Sequence, residues 1–369
     1  MEEANRQMRD VTILADDLTG ALDAAAAFGS ASAPIDTGWD IRPGRRIAID
    51  SETRAVLPEA ARSRVSKLLP ALAGSRIAFK KIDSLLRGNS FTEIATCCAS
   101  GVFDAVYIAP AFPRQGRTTE GGCLCVGGEP SGQTPLSISD QLRVEDVASV
   151  SLAIGDHPPS RGVFVCDART DEDLACLVRR VGSSRDRLLW CGSAGLAYAV
   201  AAMAPTAVAA SASLAIIGSR HRASQSSAAW LRSRLGPNAV DLNDPRRLDS
   251  AIDTLAQALR SRHRAALILD LPDMPAEAAE ACYRKAFATL SEAIAPPSGA
   301  VVVGGDTLFR LLGATGAAAL QAIGHRSPGL PVSRIDGGTW HGTLVTSKSG
   351  AFHDGGLFAD FVQGELKSA

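Results

Sequence analysis

The stretch Val11–Ala27, VTILADDLTGALDAAAA, decides the fold of this chain. An apolar run of strand length ends in two adjacent carboxylates, Asp16 and Asp17. Thr19, Gly20 and an alanine-rich helical run follow. A short apolar run is the mark of a buried parallel strand, and Asp or Thr favours the start of a helix. The acids are therefore expected at the carboxyl end of a first strand, on the loop before a first helix. In open α/β sheets that edge is where ligands bind. One aspartate there is explained as a helix cap, which needs a single oxygen. Two adjacent ones exceed that need.

The same alternation continues outward. Strands are expected over 46–50, 76–81, 105–109, 163–166 and 188–191, with helices over 58–72, 92–99 and 171–181. The glycine-rich segment 121–132 reads as an irregular hairpin. Residues 205–213, PTAVAASAS, are small and loosely patterned, as in a linker. A second alternation begins after them, with strands over 214–217, 265–270 and 300–303 and a long helix over 276–294. The tail adds a last strand, a glycine turn and a short helix. Strands alternating with helices predict parallel sheets with crossover helices. The expected fold is α/β with two domains, 1–207 and 208–369. Each would be a mainly parallel sheet flanked by helices, with the active site in the interdomain cleft.

Composition narrows the function. The chain has 369 residues, 46% of them hydrophobic and 21% charged, with a formal net charge of −1. Such a balance gives no global attraction to nucleic acid or to an anionic membrane. An anionic ligand must then be held by local cations and backbone amides. The N-terminal MEEANRQMRD is polar, without an apolar signal core, and no apolar run reaches membrane-spanning length. None of the eight cysteines forms a C-x-x-C pair. A reduced, cytoplasmic protein is expected, with no nucleic-acid or membrane partner. Symmetric dimers are the commonest oligomers, so a homodimer is the default expectation.

Several further clusters follow expected strands. Lys80, Lys81, Asp83, Ser84, Arg87, Gly88 and Asn89 should reach the same sheet edge as the acids. Adjacent lysines on a strand point to opposite faces, so one is expected to be buried and the other free. Arg87 suits a bidentate grip on a carboxylate or phosphate, although a salt bridge to a nearby aspartate explains it equally well. In PAFPRQGRTT (110–119), Arg114 and Arg117 add donors on a fixed loop. In the second half, Gly304, Gly305, Asp306 and Thr307 stand between a strand and a helix. Glycines there admit a ligand to the backbone, and a helix N-terminus favours negative charge. Gly218, Ser219, Arg220 and His221, and then Ser347 to Gly350, repeat the pattern of a strand followed by a glycine turn. There is no G-x-x-x-x-G-K-[ST] loop, no protein-kinase set and no G-x-G-x-x-G after a strand. Carboxylates and cations in one half and glycine turns in the other suit phosphoryl transfer between two anionic ligands. That reaction needs positioning, charge neutralisation and a base for the attacking hydroxyl.

The blocks ADDLTGALDAA, KKIDSLLRGN, PAFPRQGRTT, CGSAGLA, GGDT and KSGAF together resemble the four-carbon acid sugar kinases. The resemblance spans nearly the whole chain. It implies an N-terminal sugar-acid-binding domain and a C-terminal nucleotide-binding domain. The implied reaction is phosphorylation by ATP, with Mg2+, of the terminal hydroxyl of threonate, erythronate or a 3-oxo form. Carried over by position, Asp17 would be the general base, with Asp16 helping to orient the hydroxyl or a magnesium ion. Lys81, Asp83, Ser84 and Arg87 would hold the substrate. Ser219, Gly304, Gly305, Asp306, Thr307 and Gly350 would contact ATP. The chain departs from the family pattern in GSRHRASQSS, where His221 replaces a usual serine, and in KSGAFH. The alternatives are a non-catalytic sugar-acid sensor with a degenerate nucleotide site and a kinase for another sugar acid.

Overall fold

The structure is a computed structural model that describes residues 9–130, 136–182, 187–201, 208, 210–261, 263–352 and 355–364. The chain divides into two compact units, residues 1–29 with 34–205, and residues 30–33 with 206–369. Of the linker expected at 205–213, residues 205–207 and 209 lie outside the described residues, and so does the near side of the boundary placed after 207.

The first unit begins β1 (Arg9–Ala15), α1 (Leu18–Phe28), β2 (Ile35–Gly38), β3 (Arg46–Asp50), α2 (Pro58–Ala73), β4 (Ser75–Lys81), α3 (Ser90–Ala99) and β5 (Ala105–Ala109). A small antiparallel sheet follows, made of β6 (Arg117–Glu120), β7 (Cys123–Val126), β8 (Glu129–Pro130) and β9 (Leu136–Ser137). The expected hairpin is its centre. Then come α4 (Ile138–Val144), β10 (Val150–Leu152), β11 (Gly162–Cys166), α5 (Asp171–Val181), β12 (Leu188–Gly192) and α6 (Ala194–Ala201). The main sheet has the order β10-β11-β5-β12-β4-β1-β3-β2. Every pairing in it is parallel. Leu14, Ile49, Ala78, Ile108 and Leu189 from its strands pack with Val65 and Leu72 of α2 and Ile94 of α3. Burial of each such large side chain contributes about 1.5–3 kcal/mol. On α1 every residue is buried. Its run of alanines presents little side-chain bulk to α6, against which it packs.

The second unit contains β13 (Leu214–Ile217), α7 (Arg222–Leu235), β14 (Ala239–Leu242), α8 (Leu248–Arg260), β15 (Ala265–Leu269), α9 (Ala276–Ala293), β16 (Ala300–Val303) and α10 (Gly305–Thr315). It ends with β17 (Ala319–Ser327), β18 (Leu330–Asp336), β19 (Leu344–Lys348) and α11 (Leu357–Gln363). The order β19-β16-β13-β15-β14 is parallel, while β17 and β18 add an antiparallel hairpin beside β19. Among the described residues no helix is long and apolar enough to cross a membrane.

Candidate active site

The acidic loop lies where the sequence puts it, after β1 and before α1. Asp17 is the N-cap of α1, its Oδ1 accepting from the Gly20 N–H at 2.8 Å. The capping role therefore holds, but it occupies one oxygen. The other, Oδ2, accepts from Arg54 Nη1 at 2.5 Å. Asp16 is fully buried and takes the same guanidinium in bidentate fashion, from Nε at 2.8 Å and from Nη2 at 2.9 Å. Arg54 also stands 3.6 Å from Asp83. One cation thus bridges two carboxyl groups and stands beside a third. Burial pushes the Asp17 carboxyl above its ordinary range, Arg54 pulls it back and the Asp16 charge adds to the rise. Burial also works against the Arg54 charge, yet the three aspartates hold its pKa above the ordinary value. Behind the pair, at the end of β3, burial raises the Asp50 carboxyl to about 7, against a hydrogen bond from the Glu52 N–H.

The loop after β4 closes on the same place. Lys80 and Lys81 point to opposite faces, but both are buried, contrary to the expectation that one is free. Helices cover both faces of an all-parallel sheet, so neither face is open to water. Lys81 Nζ donates to the Ile82 carbonyl at 2.8 Å. A Cβ on Gly20 would come within 2.6 Å of Asp17 Oδ1 and 3.0 Å of Lys81 Nζ. Gly20 therefore gives these opposite charges room to approach over the first turn of α1.

Asp83 receives Arg87 through Nε at 2.7 Å and Nη2 at 2.8 Å, and also accepts from the backbone N–H groups of Leu85 and Arg87. Burial would raise its carboxyl, but Arg87 and Arg54 hold it well below the usual carboxylate range. The salt-bridge reading of Arg87 is thus realised, with half of its side chain still exposed. Ser84 lies buried in the same loop. Gly88 takes φ +69°, and a Cβ there would meet the Arg54 carbonyl at 2.5 Å. Asn89 Nδ2 donates to the carbonyls of Thr53 and Val56 at 2.7 and 2.8 Å. These contacts clamp the 83–89 loop onto the segment that carries Arg54. Arg117, at the start of β6, is buried. Burial depresses its pKa, the Asp83 charge opposes that and the Arg87 charge adds to it.

Within the second unit, three turns meet at the carboxyl ends of β13, β16 and β19. Gly304 has φ +107° and is the N-cap of α10. Its N–H donates to the Lys348 carbonyl at 3.0 Å, and the Gly218 N–H donates to the Val303 carbonyl at 3.2 Å. A Cβ on Gly218 would lie 2.2 Å from Thr307 Oγ1, and one on Gly350 would lie 2.0 Å from Ser219 Oγ. Ser224 Oγ donates to the Gly350 carbonyl at 3.0 Å. Ser219, Gly304, Gly305, Thr307 and Gly350 are thus gathered around the α10 N-terminus, while Asp306 is exposed on its first turn. His221 caps α7 through Nδ1, which accepts from the Ala223 N–H. His353 of the KSGAFH block lies outside the described residues.

Residues 11–146 match a family model described as a sugar-binding N-terminal domain. A D-threonate kinase of Cupriavidus necator is 30% identical, over 87% of this chain and 89% of its own length. This chain belongs to the four-carbon acid sugar kinase family. A D-threonate kinase of Bordetella bronchiseptica is 27% identical over 93% of this chain and 94% of its own length. The Haemophilus influenzae protein HI1011, of the DUF1537 family model, shares the fold, with a TM-score of 0.68 at 18% identity. It covers 96% of this chain and 99% of its own.

In this acid sugar kinase, sequence reasoning missed Arg54 and Asp50. Asp50 ends β3 and Arg54 follows it, and the carboxyl end of β3 lies beside that of β1 in the parallel register Ala15↔Asp50. The sequence carried only charged residues at and after a strand end; that this end shares the acids' edge is set by the pairing of β3 beside β1.

Proposed function

We propose that this kinase transfers the γ-phosphoryl group of ATP to the terminal hydroxyl of a four-carbon sugar acid of the threonate type, with Asp17 as general base. Asp17 accepts the hydroxyl proton. The freed oxygen bonds to the γ-phosphorus as the bond from that phosphorus to the β,γ-bridging oxygen breaks, and ADP leaves. Burial lifts the Asp17 carboxyl towards the range in which a base works near neutral pH. Arg54 holds the two adjacent carboxyl groups side by side through three hydrogen bonds. Arg87, half exposed, with Arg117 near it, supplies the positive end for the substrate carboxylate.

The phosphates are assigned to the α10 N-terminus, with Ser219, Gly304, Gly305, Thr307 and Gly350 around them and Asp306 on the first turn. Glycines at 218, 304 and 350 bring three backbones together where side chains would collide, as a phosphate cradle requires. Among the described residues no three Asp, Glu, His or Cys side chains group as a metal cage. Magnesium, which keeps several waters and favours phosphate oxygens, is therefore expected to arrive on the nucleotide. It would neutralise charge on the transferring phosphoryl group.

The observation that carries the proposal is the acid pair held by Arg54 at a strand end, inside a region that matches a sugar-binding domain. The nucleotide cradle, in which Gly350 packs on Ser219 of the altered GSRH block, favours the kinase over the sensor. The test is magnesium-dependent ADP release over a panel of sugar acids including D-threonate and D-erythronate. Turnover with a four-carbon acid supports the reading. Acid binding without ADP release from any acid would replace it with the sensor.

A further inference from the structure

The mechanism above leaves one buried charged pair unused. Lys80 on β4 and Glu93 on α3 both have fully buried side chains, with Nζ 2.5 Å from Oε2. Lys80 Nζ also donates to the carbonyl of Leu14 at 3.3 Å and to that of Lys81 at 3.1 Å. A lysine ammonium has three donors, and here all three are used. Glu93 fares worse, because its Oε1 is buried without a hydrogen-bond partner. A buried ion pair with an unsatisfied oxygen is a poor source of stability, and apolar replacement of such pairs is often neutral or stabilising.

What the pair does achieve is geometric. Leu14 lies two residues before Asp16, and Lys81 lies two before Asp83. The Lys80 ammonium therefore joins the backbones that launch both substrate loops. The anchor is the first turn of α3, and the preceding residue there, Asn89, holds Thr53 and Val56 of the third loop. One helix start thus fixes the ends of β1, β3 and β4. We infer that Lys80, anchored by Glu93, is a positioning residue that sets the spacing of the Asp16–Asp17 loop against the Asp83–Arg87 loop, and serves catalysis rather than stability. The inference rests on reading those loops as the sugar-acid site.

The test is the double variant Lys80→Met/Glu93→Leu, measured by thermal melting, by steady-state kinetics with D-threonate and ATP, and by calorimetric binding of the acid. The expected result is a melting temperature equal to or above wild type, a kcat reduced at least tenfold and an ATP KM within twofold of wild type. A folded double variant with wild-type kcat and acid affinity would overturn the inference. Failure of the double variant to fold would overturn it too, if the neutral pair Lys80→Gln/Glu93→Gln also fails, because the pair would then be a stability element. If only the Gln pair folds, the same kinetic criterion applies to it. Wild-type protein is assayed alongside. Absence of turnover there would count against the kinase reading, and the inference would then be read from acid affinity, expected to fall at least tenfold in the double variant.

Discussion

Arg54→Gln probes the electrostatics of the site most sharply. The substitution removes a cation shared by Asp16, Asp17 and Asp83 and leaves two adjacent carboxylates in a buried loop. Breaking a buried ion pair costs about 3–5 kcal/mol. The Arg54 side chain is 26% exposed, which moves the expectation to the lower end of that range. We expect a loss of about 3 kcal/mol, a fall of about 6–12 °C in the melting temperature of the first unit, which has about 200 residues. The catalytic signature is separate. Burial and Asp16 both raise the Asp17 carboxyl and Arg54 opposes them, so its removal lets the pKa climb further. The acid limb of kcat/KM against pH should move to higher pH. Adding Asp16→Asn removes a like charge and should bring the limb part of the way back. The assay is ADP release from pH 5 to 9, alongside melting curves. A variant with an unmoved acid limb and a melting temperature within about 2 °C of wild type would refute the assigned role of Arg54.

Asp50→Asn should act on stability. Between its ordinary 3.8 and about 7 the folded chain keeps a proton on Asp50 that the unfolded chain has lost. The stability from this group is therefore present at low pH and disappears as the pH rises through about 7. That interval sets an upper bound of about 4 kcal/mol. We expect the Asn variant to gain about 1–2 kcal/mol at pH 8 and nothing near pH 4, read from melting temperatures at the two values. Gly20→Ala should improve the helix by about 1 kcal/mol while driving a methyl between Asp17 and Lys81. An unchanged or higher melting temperature with at least about tenfold lower kcat is the expected pattern. Gly350→Ala, whose Cβ would strike Ser219, should raise the KM for ATP at least about tenfold and leave that for the acid unchanged in initial-rate kinetics.

Most strands and helices of the parallel sheets were legible because their apolar runs are short, bounded and separated by helical periods, whereas the three- and four-residue strands β2, β10 and β14 were missed. Helix α5, for example, begins at Asp171 and ends at Val181 as the pattern predicts. The antiparallel hairpin β17–β18 was not legible. Gly324 at φ +135° and two register shifts interrupt the alternation of β17, and Pro331 sits inside β18. The acid pair was readable because two adjacent aspartates after a strand exceed what capping needs. Arg54 was not, since an arginine four residues past a strand looks like any solvated loop cation. Only the pairing of β3 beside β1 shows that its loop shares the acids' edge. Lys80 and Lys81 show the same limit. Alternation along a strand gives their opposite directions, whereas burial of both depends on helices covering both faces.

The central claim is that Asp17 takes the proton from the attacking hydroxyl. Asp17→Asn keeps an oxygen for the Gly20 N–H cap and loses the acceptor for Arg54, which stays held by the bidentate pair with Asp16, so the fold and the acid site should persist. The decisive measurement pairs single-turnover phosphoryl transfer with calorimetric binding of the sugar acid in this variant. The account predicts a transfer rate at least about a hundredfold lower with acid affinity within a few-fold of wild type. Transfer at the wild-type rate would contradict it.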